Sequence, residues 1–151
     1  MNAEDSDVVR FMEIAAHLGY LGYTIHPPAD DSCWYRASHP SKWRFCLTRW
    51  RAFLWLRCSV ALPSFDPAGR LSVLESLNAL QEEAVVTKYH LDDPEGSEWG
   101  IEATAFLPIE YDRQLFGSWA LRWIEETDKL APICRSTNTS STQQSGKQIL
   151  P

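Results

Sequence analysis

Two runs near the middle of the chain alternate with a period of two, and that period belongs to a strand. In "KWRFCLT" (42–48), Trp43, Phe45 and Leu47 fall on one face and Lys42, Arg44, Cys46 and Thr48 on the other. In "AFLWLRCSVAL" (52–62), Leu54, Leu56, Cys58, Val60 and Leu62 oppose Phe53, Trp55, Arg57, Ser59 and Ala61. Successive strand side chains point to opposite faces, so each run has one apolar face to bury, and the chain must turn near Arg49–Arg51. An antiparallel pair with a single buried face follows. The stretch from Lys42 to Cys58 holds three Trp, five basic residues and no acid. Its longest apolar part is broken by Arg57 and has about half of the roughly 20 residues of a membrane span, so membrane insertion is not expected.

The flanking sequence supplies helices and more strands. Between Asp5 and Leu18, Val8, Phe11, Met12, Ala15 and Leu18 make one helical stripe, with Gly19 as the expected stop. "GYLGYTIHPPADDS" then breaks the pattern with Gly and Pro, and "CWYRAS" is a short aromatic strand. Leu71, Leu74, Leu77 and Leu80 space a second helix over Gly69–Glu83. "AVVTKYHL" is a fourth strand with Val85, Thr87, Tyr89 and Leu91 on one face, and "WGIEATAFLP" a fifth. Pairing Lys88 with Glu102, Tyr89 with Ile101 and Leu91 with Trp99 sets polar against polar and apolar against apolar. A third amphipathic helix carries Leu115, Phe116, Trp119, Ala120, Trp123 and Leu130. The order α-β-β-β-α-β-β-α predicts an α+β two-layer sandwich: a five-stranded antiparallel sheet with helices on one face. Residues 1–134 are expected to form a single domain. From 135 to 151 the polar, low-complexity sequence cannot bury enough apolar area to offset its ordering entropy, and a disordered tail is expected.

Charge and cysteines bound the function. The net charge of -6 disfavours bulk nucleic acid as the main partner. The distribution is uneven: six basic residues and no Asp or Glu lie between Ser32 and Phe65, leaving 8 basic against 20 acidic residues elsewhere. A chain with two such poles is suited to self-association or to an oppositely charged protein. Cys33, Cys46, Cys58 and Cys134 have no CxxC spacing, which argues against zinc and for free thiols. The acidic start "MNAEDSDVVR" lacks the pattern of a signal peptide, so the cytoplasm is the expected compartment.

Several phrases together resemble the YbjN family, a bacterial family that shares the fold of type III secretion chaperones. They are "HLGYLGYTI", "KWRFCL", "FLWLRCSVALP", "ESLNALQEEAVVTKYHLDD" and "IEATAFLP…YDRQLFGSWALRWIEE", which cover about residues 5 to 132. The resemblance implies a small cytoplasmic protein without enzymatic activity, commonly dimeric, tied to regulation or to chaperone-like binding of a protein client. The dense basic strand region and the tail depart from that pattern.

No catalytic constellation accompanies this pattern. His17, His26, His39 and His90 are scattered, and the acid pairs Asp30–Asp31, Asp92–Asp93 and Glu125–Glu126 are expected to be solvated. No cofactor or metal is expected. The outward strand positions remain. Arg44, Phe53, Trp55 and Arg57, with Trp50 at the turn, mix guanidinium with aromatic groups in the manner of protein-interface cores. Single-stranded nucleic-acid binders use the same chemistry, and a plain solvated face with Arg stems covering aromatics is the third reading. A homodimer or protein-client surface over these residues and over Leu74, Leu77 and Asn78 of the middle helix is the leading expectation.

Overall fold

The computed structural model describes residues 3–29, 33–51, 53–62, 67–92, 99–108 and 112–137. The main elements among these residues follow in the order α1 (Ala3–Tyr20), β1 (Thr24–His26), β2 (Tyr35–Ser38), β3 (Phe45–Trp50), β4 (Phe53–Leu62), α2 (Pro67–Glu83), β5 (Lys88–Asp92), β6 (Trp99–Pro108) and α3 (Arg113–Asp128). The strands form one antiparallel sheet in the order β1-β2-β3-β4-β6-β5. The architecture is the expected α+β sandwich with six strands rather than five. The extra strand, β1, spans only three residues before Pro27, too few for a period of two to be visible.

The two alternating runs pack as their pattern dictates. Phe45, Leu47, Leu54, Leu56, Cys58 and Leu62 are buried, joined by Ile101, Ala103, Ala105 and Leu107 of β6. The helices cover this face with Ile14 and Leu18 of α1, Val73 and Leu77 of α2, and Phe116, Ala120 and Trp123 of α3. Trp123 meets Phe45 edge-on at 6.1 Å, and Tyr23 lies 5.0 Å from the same ring. Burial pushes the Cys58 thiol up to about 12, as an apolar site must for a group that ionises to an anion.

Helix faces differ from the sequence expectation in detail. In α1, Ile14 is buried and Met12 is exposed, so the core face runs Phe11, Ile14, Leu18; the Val8 side chain lies outside what is described. In α2 the Leu71, Leu74, Leu77, Leu80 spacing falls back about 60° at each step of 3.6-residue geometry. The buried face is Val73, Leu77 and Leu80, and Leu71 is exposed. In α3, Leu115 is exposed, while Asp112 caps the helix by accepting the Leu115 N–H at 2.8 Å. A helical segment over 131–137 follows, burying Ile133 and running past the expected start of the tail; residues 138–151 lie outside the described part.

The stop of α1 is Gly22, not Gly19. The Tyr23 N–H donates to the Leu18 carbonyl and the Gly22 N–H to the Gly19 carbonyl, both at 3.0 Å, with Gly22 at φ 90°. This is the double hydrogen bond of a Schellman cap, whose left-handed residue is one that glycine tolerates best.

The second hairpin differs from the sequence expectation in its start and in its register. The strand begins at Lys88, with Val85 exposed on a bend before it. The reason is Glu126, a buried carboxylate whose Oε1 accepts the Val85 N–H at 2.8 Å and whose Oε2 accepts the Thr87 N–H at 2.9 Å. Arg122 Nε donates to Oε1 at 2.7 Å. Glu126 was expected in solvent as half of an acid pair; instead it satisfies backbone donors that a strand would have used. Burial pushes its carboxyl up, but the hydrogen bonds from Thr87, Val85 and Arg122 outweigh that and hold it below the usual value. Of the other acid pairs, Asp30, Asp31 and Asp93 lie outside the described residues. The register also differs: Lys88 pairs with Thr104, Tyr89 with Ala103, His90 with Glu102 and Leu91 with Ile101. The shift is two residues, which leaves every side chain on its own face, so alternation cannot detect it.

Candidate functional site

Helices α1, α2 and α3 all pack on one face of the sheet, and the opposite face holds most of the outward residues singled out in the sequence. Its centre is the β3–β4 hairpin. Trp50 pairs with Phe53 across the turn, where Arg51 takes φ 56°, a left-handed conformation uncommon for a non-glycine residue. The next outward row is Thr48, Trp55 and Phe106.

These side chains form one aromatic cluster. Trp55 stacks on Phe106 at 5.5 Å with 19° between planes, Trp50 lies 5.9 Å from Phe106, and Trp34 meets Trp55 edge-on at 4.8 Å. The Arg51 guanidinium sits 4.9 Å over the Trp50 ring, a cation–π contact. Trp34 and Phe106 were not among the expected site residues. Phe106 follows from alternation once β6 is placed beside β4. Trp34 precedes the regular strand and carried no period. The chain at Cys33–Trp34 crosses over this face, since the Thr48 hydroxyl donates to the Cys33 carbonyl at 2.8 Å. That crossing buries Thr48 and half-buries Trp55, leaving Trp50, Phe53 and Phe106 at 47%, 41% and 41% exposure.

Charge is arranged in a row across the strands. His26 pairs with Arg36, Arg36 with Cys46, Cys46 with Arg57, Arg57 with Thr104, and Thr104 with Lys88. Arg57 is ion-paired with Glu102, and the same carboxylate takes His90 Nε2 at 2.5 Å. Arg44 is exposed next to this row. Cys46 is half-buried on this face and Cys58 buried on the other, as alternation requires.

The α2 residues divide. Leu77 belongs to the core and has no surface to offer, Leu74 is half-buried, and Asn78 is exposed. They lie on the helical side of the sheet, so the two groups of expected site residues do not converge. The C-terminal part of α2 instead ties down the next strand, with the Gln81 side chain accepting the Tyr89 N–H at 2.9 Å and donating to the Thr87 carbonyl at 3.1 Å. Among the described residues no three His, Cys, Asp or Glu side chains could hold a metal ion. Among the same residues no helix is long and apolar enough to cross a membrane.

Fold and face define an α+β protein with one antiparallel sheet, helices packed on one side, and an aromatic and basic surface on the other. That is a YbjN-like fold. The crystal structure of YbjN from E. coli, a proposed transcription regulator, matches with a TM-score of 0.59 at 14% identity, covering 83% of this chain and 89% of that one. An uncharacterized protein from Methanothermobacter thermautotrophicus matches with a TM-score of 0.52 at 13% identity, over 85% of this chain and 99% of that one. One chain in the structure of the heterodimeric ExoU–SpcU complex of the type III secretion system of Pseudomonas aeruginosa matches with a TM-score of 0.48 at 16% identity, over 82% of this chain and 99% of that one. No protein-family model matches the chain, and no curated protein does.

Proposed function

We propose that this chain is a protein-binding module without enzymatic activity, chaperone-like or a regulatory adaptor, which acts as a homodimer in the cytoplasm. The observation that carries the reading is the exposed cluster of Trp50, Phe53 and Phe106 beside guanidinium groups. Aromatic and Arg side chains dominate the energetics of protein interfaces, and partly buried rings such as Trp55 give such a surface rigidity. The asymmetry of charge supports a partner, or a second copy, that presents acidic surface. The single domain is proposed to span residues 1–134, its last helical segment running on to 137, with a polar tail after it.

A single-strand nucleic-acid reading through Arg44, Trp55 and Arg57 has less support. The Arg57 guanidinium is engaged by Glu102, and Trp55 already stacks on Phe106 with Trp34 against it.

Light scattering of the full chain tests self-association, and capture from the host with mass spectrometry tests the client. The expected result is a dimer and a captured protein that W50A/F53A loses and L71A retains. A monomer at high concentration, with capture identical for both variants, would sink the reading.

A further inference from the structure

A hollow of about 630 Å³ opens on the strand face between β1 and β4, and its walls include His26, Trp34, Arg36, Arg44, Cys46 and Arg57. That volume falls in the range of small-molecule sites, about 300–1,000 Å³. It lies beside the aromatic cluster, with Trp34 bordering both.

Among the described residues, the charges around it are not balanced from within. Glu102 answers both Arg57 and His90. His26 Nε2 is engaged with the Ser38 hydroxyl at 2.8 Å. Arg36 and Arg44 are exposed, and neither guanidinium has a hydrogen-bond acceptor or ion-pair partner among the described residues. No acid occurs between Ser32 and Phe65, so these strands carry no carboxylate of their own to offer. Neighbouring strands lie about 4.8 Å apart, which sets the Arg36 and Arg57 backbones about 10 Å apart with only Cys46 between them. Arg57 is already met by Glu102, so the Arg36 and Arg44 guanidinium groups, which have no acceptor among the described residues, are the ones an anion would satisfy. Their planar, weakly hydrated forks match carboxylate and phosphate in a bidentate fashion. Trp34 supplies an apolar wall for whatever carries the acid groups.

We propose that this hollow binds a small organic anion with two acid groups, carboxylate or phosphate, one held by Arg36 and the other by Arg44, with the body of the ligand against Trp34. The site does not depend on the protein-binding reading, which rests on Trp50, Phe53 and Phe106.

The test is a titration of the full chain at low ionic strength with citrate and with pyrophosphate, and with acetate as a single-acid control, read on the ¹⁵N-labelled arginine Nε–H resonances. Saturable 1:1 shifts of Arg36 and Arg44, about tenfold tighter than for acetate, are expected, because two charge-assisted forks act together. The exposed double variant R36Q/R44Q, checked for its fold by circular dichroism, should weaken binding about tenfold or more. R49Q/R51Q removes as many charges at the hairpin tip and should leave it unchanged. Preference for citrate assigns a carboxylate ligand, and preference for pyrophosphate a phosphate ligand. Shifts that rise linearly without saturating would overturn the site, as would equal losses in both double variants. Displacement of both probes by a short oligothymidylate, with all four arginines contributing alike, would make the face a nucleic-acid surface and overturn it too.

Discussion

Glu126 is the residue on which the second hairpin depends. At 1% exposure, a carboxylate is tolerated only if its charge is met, and here Arg122 and the N–H groups of Val85 and Thr87 meet it. Replacement by glutamine turns one acceptor into a donor aimed at other donors. E126Q is therefore expected to cost about 3 kcal/mol in urea unfolding at pH 7. Because the folded carboxyl titrates below its ordinary value of 4.5, its contribution is present above that pH and is lost as pH falls through the folded value. Unfolding series between pH 3 and 7 should show a steep acid limb in the native chain and a flatter one in E126Q. A second contrast lies on α2, where Leu77 is 3% exposed and Leu71 57%. L77A should cost about 2–5 kcal/mol and L71A less than about 0.5. Equal costs would mean that α2 does not bury the Val73–Leu77 face.

At the scale of elements, the cap of α1 gives two glycines opposite roles. A Cβ on Gly22 would meet His39 Nε2 at 2.8 Å, on a backbone at φ 90°, whereas a Cβ on Gly19 meets nothing within 4 Å. G22A is expected to lower stability by about 1–2 kcal/mol, and G19A to raise it by about 0.5–1 kcal/mol through helix propensity. Thermal unfolding of both reads the two signs directly. The same elements mark how far sequence reasoning reached. Strands β3, β4 and β6 were legible because they are long and buried on one side, so composition had to alternate. Strand β1 was not, since three residues hold too little pattern. The β5–β6 pairing was wrong by two residues because a slip of two preserves both faces. Gly22 rather than Gly19 stops α1 because the Gly22 and Tyr23 N–H groups close the helix through backbone hydrogen bonds that no side chain announces. On the candidate face, Arg44, Trp50, Phe53, Trp55 and Arg57 were legible by the same alternation. Trp34 and Phe106 needed the fold, the first because it arrives from a segment without a period, the second because it depends on which strand neighbours β4.

For the whole molecule, one sheet separates two sets of demands. Helices and inner strand residues hold the fold, while Trp50, Phe53 and Phe106 stand on the opposite surface. W50A/F53A should therefore shift unfolding by no more than about 1 kcal/mol and still abolish the proposed partner capture, and circular dichroism melts beside the capture assay separate the two. Such a chain is free to diverge unevenly. Only one residue in two along each strand answers to the core, so the other half of the sheet can drift toward new surfaces without a change of backbone. A scaffold built this way holds one shape under very different letters, and a TM-score of 0.59 beside 14% identity is a case of a fold shared without them.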